Sequence, residues 1–440
     1  MTEPAAPKPA DDGDFNRLWA GQTVSVMGSQ VSGVAMPLIA AILLKATPAQ
    51  MGFLVAIPFL PNLLVGLPAG AWVERVRKRP VLISGDLMRA LLVGMIPVLS
   101  LLGVLRIEHL YVMALLGGTI GVFFDVASTA LLPALVARER LVVANGRLQS
   151  SRAVAQIAGP SLGGLLVALL TAPVAVTVDA VSFLVSALLT TSIRRREPAP
   201  AASAHASGLW ADVGEGMRFV FREPILRPAL GWVASINLCM AVLMAEYVLY
   251  LTRVLGFGPR LVGLSLTSLG VGSIIGATFA QRLARRIGVG GSILGAALLA
   301  GVAGLLLTAV TAPLPAAAAG QVSALILFGL GTTIANVNLI SLFQAVAPPR
   351  LLARTIATIR FVTWGVIPAG ALAGGALATR FGIRPTLFAA MVGVLLSAGW
   401  VLFSRLRSLA EVPPQAEDPE EAPSSSVAAA LAEEALEPAV

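Results

Sequence analysis

Glu74-Arg75-Val76-Arg77-Lys78-Arg79 stands between two long apolar runs, at about 50–73 and 80–104. A dense basic hexapeptide flanked by such runs reads as a short polar loop joining two helices that cross a bilayer, each of which needs roughly 20 apolar residues. Outward from this loop the pattern repeats. Twelve apolar segments run at about 18–43, 50–73, 80–104, 109–136, 147–170, 173–193, 226–251, 260–283, 289–311, 315–346, 355–378 and 385–404. The segments at 109–136 and 315–346 are long for one crossing and are expected to project on the cytoplasmic side.

The composition agrees. Of 440 residues, 57% are hydrophobic and only 12% are charged, against about 25% charged in a typical soluble domain. The mean hydropathy is +0.85. Cys239 stands alone, so no intrachain disulfide or thiolate cluster is available, and His109 and His205 are the only histidines. No metal site, no catalytic constellation and no cofactor are therefore expected, and an enzyme is the weakest reading. The three lysines, Lys8, Lys45 and Lys78, follow no glycine-rich phosphate loop. The acids Glu3, Asp11, Asp12 and Asp14 make a poor signal-peptide start, so the first apolar run is expected to remain as a span.

Charge sets the expected orientation. With both termini inside, 24 of the 31 Lys and Arg fall on the inner side, six fall outside and Arg89 lies within a span. That bias follows the positive-inside rule, so the net charge of +8 reads as membrane orientation and not as nucleic-acid binding. A multi-pass protein of a bacterial cytoplasmic membrane is the expectation, in contact with lipid and monomeric.

The chain divides into residues 1–16, expected to be disordered, a six-span bundle at 17–193, a central loop at 194–224, a second bundle at 225–408 and a disordered acidic tail at 409–440. In the central loop Trp210, Val213, Met217, Val220 and Phe221 recur at helical spacing opposite Asp212, Glu215, Arg218 and Arg222. This amphipathic helix lies either on the membrane face or on the protein's own surface. The halves echo each other. Gln281-Arg282-Leu283-Ala284-Arg285-Arg286 repeats the basic loop at an offset of 207, and Pro160 and Pro368 lie 208 apart, each shortly before a Gly-Gly pair. Parallel six-span repeats are a transporter architecture, with the site expected between the halves.

These features resemble the major facilitator superfamily. Gly70-Ala71-Trp72-Val73-Glu74-Arg75-Val76-Arg77-Lys78-Arg79 is similar to the family's loop signature, with Glu74 in place of Asp and Arg77 in place of Gly. The second copy is further degraded, with Gln281 at the acidic position. Gly159-Pro160-Ser161-Leu162-Gly163-Gly164 resembles the antiporter signature of the family's drug exporters, although Ala155 stands where an upstream glycine is expected. Phe15–Gln22 and Asp179–Leu184 resemble the macrolide, multidrug and siderophore exporters. The resemblance covers about 15–405 and implies an all-α polytopic membrane protein, with twelve transmembrane helices in two pseudo-symmetric six-helix bundles. It implies that Gly70, Glu74, Arg75, Arg77, Lys78 and Arg79, with Gln281, Arg282, Arg285 and Arg286, form a conformational latch. No arginine lies between His109 and Asp125, so the proton relay of many drug exporters does not carry over.

Ionisable residues inside spans are costly and functional by default. Asp86 and Arg89 share one helix face, roughly 10–14 Å deep by helical rise. They read as a structural ion pair or as a proton-coupling pair. Asp125 either pairs with Arg89 or the loop arginines, or carries the proton itself. Asp179 is expected to cap or anchor. Glu246, with Arg253 seven residues on, is a further coupling candidate lining an outward cavity. Gln22, Ser25, Ser29 and Ser32 form a polar stripe that faces the cavity or packs helices. Asn237, Asn336 and Asn338, with Met240, Met244, Phe361 and Trp364, are substrate-surface candidates. Four Gly-x-x-x-Gly pairs, at 66/70, 117/121, 272/276 and 370/374, read as helix packing.

The expectation is a proton-coupled exporter of an amphipathic small molecule: a drug, macrolide, siderophore or secondary metabolite. The alternatives are an uptake transporter or lysolipid flippase and, in another class, a non-transporting membrane sensor or scaffold.

Overall fold

The computed structural model describes residues 12–195, 197, 217–309 and 314–411. Twelve helices long and apolar enough to cross a membrane account for nearly all of them, and no strand occurs among the described residues. In chain order they are α1 (Asp12–Leu38, extended by a π turn at Ile39–Leu43), α2 (Pro48–Ala56 and Leu60–Glu74, joined through the 3-10 turn Ile57–Phe59) and α3 (Lys78–Leu101). Then come α4 (Ile107–Leu135), α5 (Leu141–Leu170) and α6 (Ala172–Thr191). The second half holds α7 (Leu226–Leu249, extended by a π turn at Tyr250–Val254), α8 (Pro259–Ile287) and α9 (Val289–Ala309). It closes with α10 (Leu314–Val346), α11 (Pro349–Phe381) and α12 (Ile383–Ser397, extended by the helical turn Gly399–Leu402).

Local chemistry sets the helix starts. Ahead of α2, Thr47 accepts from the Gln50 N–H at 3.3 Å and its own N–H donates to the Gln50 side chain at 2.8 Å, a reciprocal cap with Pro48 in the first turn. The tight turns after α5 and α11 use the same backbone conformation, at Thr171 (φ 95°, ψ 154°) and Gly382 (φ 90°, ψ 158°).

An even number of crossings puts the start of α1 and the end of α12 at one end of the bundle, here the near end. The two halves meet at the far end. A Cβ on Gly164 of α5 would stand 2.6 Å from the Pro259 carbonyl oxygen and 2.8 Å from Gly263 Cα of α8. A Cβ on Gly375 of α11 would stand 2.8 Å from the Pro48 carbonyl oxygen of α2. Both seams exist because glycine lets the backbones touch. The main apolar core runs through the second half and across into far-end residues of the first half, among them Leu38, Met51 and Leu110. At the near end the first half keeps a separate cluster around Leu18, Val73, Leu82, Leu131 and Ile193.

Three expectations are corrected. Helix α1 begins at Asp12, inside the segment expected to be disordered, because the Asp14 carboxylate accepts from the Arg194 and Arg195 N–H groups at 3.0 and 2.8 Å and from Arg17 at 2.5 Å. Leu409 and Ala410, assigned to the tail, accept from the N–H groups of Gly290 and Val289 at 2.9 and 3.2 Å, closing the orphan donors of α9. Residues 1–11 and 412–440 lie outside the described residues. Of the glycine pairs, 272/276 and 370/374 touch neighbouring helices, but 66/70 and 117/121 meet nothing within 4 Å. In the central loop, Trp210 and Val213 lie outside the described residues. The helical part at 217–222 buries Val220 completely and leaves Phe221 48% exposed.

Candidate functional site

In the first half one guanidinium organises three acids. Arg89 on α3 lies 4.2 Å above the Phe124 ring and 5.5 Å from that of Phe183. Its Nη2 donates to the Ile120 carbonyl at 3.5 Å and its Nε has no partner. It interacts electrostatically with Asp86 of its own helix, Asp125 of α4 and Asp179 of α6, yet no carboxylate comes within 4 Å of it among the described residues. The Asp86–Arg89 couple is therefore not a contact ion pair. Asp86 is fully buried and neither oxygen is hydrogen-bonded. Asp179 is also buried, but accepts from Ser29 and Ser182, each at 3.3 Å. It anchors α1 to α6 and belongs to the Arg89 cluster; it caps no helix, since α6 begins at Ala172. Asp125 differs from both: it is exposed, and also interacts electrostatically with Arg152 of α5.

The polar stripe of α1 turns inward. Gln22 donates to Ser128 of α4 at 2.5 Å, Ser25 is buried and Ser29 reaches Asp179. The stripe thus serves packing inside the bundle. The Gly-Pro-x-x-Gly-Gly motif of α5 divides by face. Gly159 and Gly163 abut Gln30, Val31 and Val34 of α1, whereas Gly164 and the Pro160 carbonyl meet Gly263 of α8. The motif sits on the seam between the halves.

The second half contains a cavity of about 550 Å³, walled by α7, α8, α10 and α11. Asn237, Met240, Asn336 and Trp364 line it, together with Trp232, Gln344 and Arg360. Trp232 lies early in α7, Gln344 late in α10 and Arg360 in the first half of α11, so the cavity occupies the near half of the bundle. Asn237 donates to the Thr363 carbonyl at 2.9 Å, tying α7 to α11. The other candidates point elsewhere. Asn338 is buried against Ser292 and the Ile334 carbonyl, Met244 packs on the apolar core, and Phe361 is 52% exposed outside the cavity lining.

Of the residues expected to form a latch, Lys78 and Arg79 are held by the chain's own first half and central loop. The Glu197 carboxylate accepts from the Lys78 and Arg79 N–H groups at 2.7 and 3.2 Å, capping α3, and lies 3.8 Å from the Lys78 ammonium. Arg79 donates to the carbonyls of Thr190 and Thr191. Glu74, Arg75 and Arg77 are exposed, as are Gln281, Arg282, Arg285 and Arg286 in the second copy, and Gly70 has no close neighbour. At the far end, Arg253 of the second half donates to the Ala41 and Ala46 carbonyls of the first, at 3.0 and 2.8 Å. Glu246, almost two turns back on α7, is fully buried with both oxygens unpartnered and interacts electrostatically with Arg253.

Two residues of the site were given other places by the sequence reading. Asp179 is brought to Arg89 only by the packing of α6 on α3. Arg360 falls among the inner-side charges in the orientation count, yet lines the cavity. Its signal was present: it sits inside an apolar segment, one turn from Trp364.

The family model of the Major Facilitator Superfamily matches residues 18–370. The chain belongs to that superfamily. Family and fold make it a multi-pass membrane transporter of small molecules and not an enzyme. The multidrug efflux pump Tap of Mycolicibacterium fortuitum is 30% identical over 360 residues, 80% of this chain and 86% of that protein. The enterobactin exporter EntS of Escherichia coli O127:H6 is 27% identical over 428 residues, 91% and 94% of the two chains. Among solved structures, a bacterial homologue of the human lysosomal transporter Spinster, inward-facing and unoccupied, aligns with a TM-score of 0.69 at 15% identity, covering 92% of this chain and 98% of that one. A bacterial homologue of ferroportin in an inward-facing state gives 0.68 at 17% identity, over 89% and 98%. At these identities the solved structures speak for the fold alone.

Proposed function

We propose that this major facilitator protein is a proton-coupled exporter of amphipathic small molecules across a bacterial cytoplasmic membrane, with both termini in the cytoplasm. The observation that carries the reading is the contrast among the acids around Arg89. Asp86 and Asp179 are sealed in the bundle, while Asp125 is exposed beside the same cation and Arg152. An exposed acid coupled to a buried cation can exchange a proton with water and pass the change in charge inward. Protonating Asp125 releases its hold on Arg89 and biases one of two arrangements of the halves.

With the basic end cytoplasmic, the described state is closed outside by the glycine seams and the Arg253 clasp, and the cavity lies on the cytoplasmic side. That is where an exporter loads. Glu246 lies behind the clasp and is the second coupling candidate. The efflux pump and exporter among the relatives support the outward direction and the drug or siderophore class of cargo.

The test is proton movement in inverted vesicles energised with lactate and followed by a pH-sensitive dye, while macrolides, ethidium, fluoroquinolones and catechol siderophores are added. The expected result is substrate-triggered loss of the gradient, absent in Asp125→Asn. Gradient-driven transport retained by Asp125→Asn, Asp86→Asn and Glu246→Gln alike overturns the coupling assignment. No response to any addition, with the protein folded and inserted, overturns proton-coupled export of these cargoes.

A further inference from the structure

We propose that the second-half cavity selects cargo bearing an anionic group on an aromatic ring, with Arg360 as the anion anchor. This deepens the reading of that cavity as the cargo site and rests on it. Arg360 is the one charged side chain among the described residues lining the cavity. It is exposed to the cavity space, and its guanidinium forms no hydrogen bond, ion pair or ring contact with any described residue. It lies on α11, six residues into the candidate membrane span that begins at Arg354. A cation at such a place, without a protein partner, marks a substrate path by default.

The remaining polar chemistry points the same way. Trp232 is 2% exposed and its Nε1 has no hydrogen-bond partner, although the residue lines the same cavity. A guanidinium only donates, so the unanswered Arg360 asks for a ligand that carries acceptors. Trp364, four residues from Arg360 on the same helix face, offers an aromatic surface beside the cation. No carboxylate lines the cavity among the described residues; Asp86, Asp125 and Asp179 of the first half interact with Arg89. A cationic drug would meet an uncompensated like charge there, whereas a carboxylate, sulfonate or ionised phenol would complete it, with the bidentate geometry that arginine favours.

The experiment compares two probes sharing one ring skeleton, 8-anilinonaphthalene-1-sulfonate and its uncharged parent N-phenyl-1-naphthylamine. The full-length protein is held in phosphatidylcholine nanodiscs. Binding is read as energy transfer from tryptophan, with empty nanodiscs subtracted. The sulfonate is expected to bind about tenfold tighter than the parent, as one charge-assisted contact allows. Arg360→Gln should erase that preference by weakening the sulfonate more than the parent, and an unmoved thermal transition by circular dichroism shows that the variant is folded. Arg360→Lys should restore part of it. Equal binding of both probes to the wild type, or an unchanged sulfonate Kd in Arg360→Gln, overturns the anion assignment and leaves the cavity as a binding site. Binding of neither probe overturns the cargo-site reading and the proposal with it.

Discussion

Arg89 in the first half and Arg360 in the second both lie on apolar helices, and their surroundings are opposite. Arg89 is packed between Phe124 and Phe183 and held by the fields of three acids from three helices. Arg360 faces an open cavity and its guanidinium touches no partner among the described residues. The halves share an architecture but divide the work. The first gathers three acids about one buried cation. The second keeps a space of about 550 Å³ almost free of charge. A cation with internal partners sustains the fold and relays a change in charge; one without them waits for something from outside. The halves also differ where both must turn sharply. Thr171 and Gly382 adopt the same backbone conformation after α5 and α11, but only the glycine does so without steric strain.

The largest expected effect comes from removing Arg89. Arg89→Ala leaves Asp86, Asp125 and Asp179 without their shared cation. The variant also empties the space between the Phe124 and Phe183 rings. The thermal transition by circular dichroism should fall sharply. The lone thiol, Cys239, reports on the other half, since it is partly buried in α7 with its sulfur close to Gly393 of α12. If the core that crosses the far end makes the halves melt as one unit, the onset of Cys239 labelling on heating falls together with the dichroism. An unmoved Cys239 onset would show two independently melting bundles. An unchanged dichroism transition would break the account of Arg89 as a network centre.

The turn comparison predicts a gain. A β-branched residue at φ 95° and ψ 154° occupies a region that belongs almost wholly to glycine, at a cost of about 1–3 kcal/mol. Thr171→Gly should therefore raise the melting temperature, the greater flexibility of glycine in the unfolded chain taking back part of the gain. The reciprocal Gly382→Thr should lower it. A fall in both variants would mean that Thr171 makes a contact worth more than its strain.

The twelve spans were legible because the contrast between apolar runs and basic loops is strong, and most boundaries fall within a few residues of the helices observed. Where they moved, distant partners moved them. Asp14 looks like part of a polar leader until Arg194 and Arg195 present their N–H groups to it. The site was legible residue by residue but not as an assembly. Asp86, Arg89 and Asp125 stand out as charges in apolar runs, yet nothing in their spacing says that Asp179, 90 positions beyond Arg89, joins them. The α1 stripe was ambiguous for a related reason. Serines that pack helices and serines that line a cavity have the same period, and only Ser128 and Asp179 decide the matter.

The smallest expected effect returns to Arg360. Because its guanidinium satisfies no described residue, Arg360→Gln should leave no carboxylate, carbonyl or ring unpaired. The cost then reduces to a change in contact with solvent, within about 0.5 kcal/mol, and the melting temperature without ligand should barely move. The same substitution at Arg89 strands three acids, so the two variants compared side by side isolate partnership from chemical type. A large loss of stability in Arg360→Gln would mean that this cation holds the second half together as Arg89 holds the first. The cavity would then lose its claim to a charge kept open for cargo. Stability retained, with the preference for an anionic probe lost, would place the two arginines in different trades on the same fold.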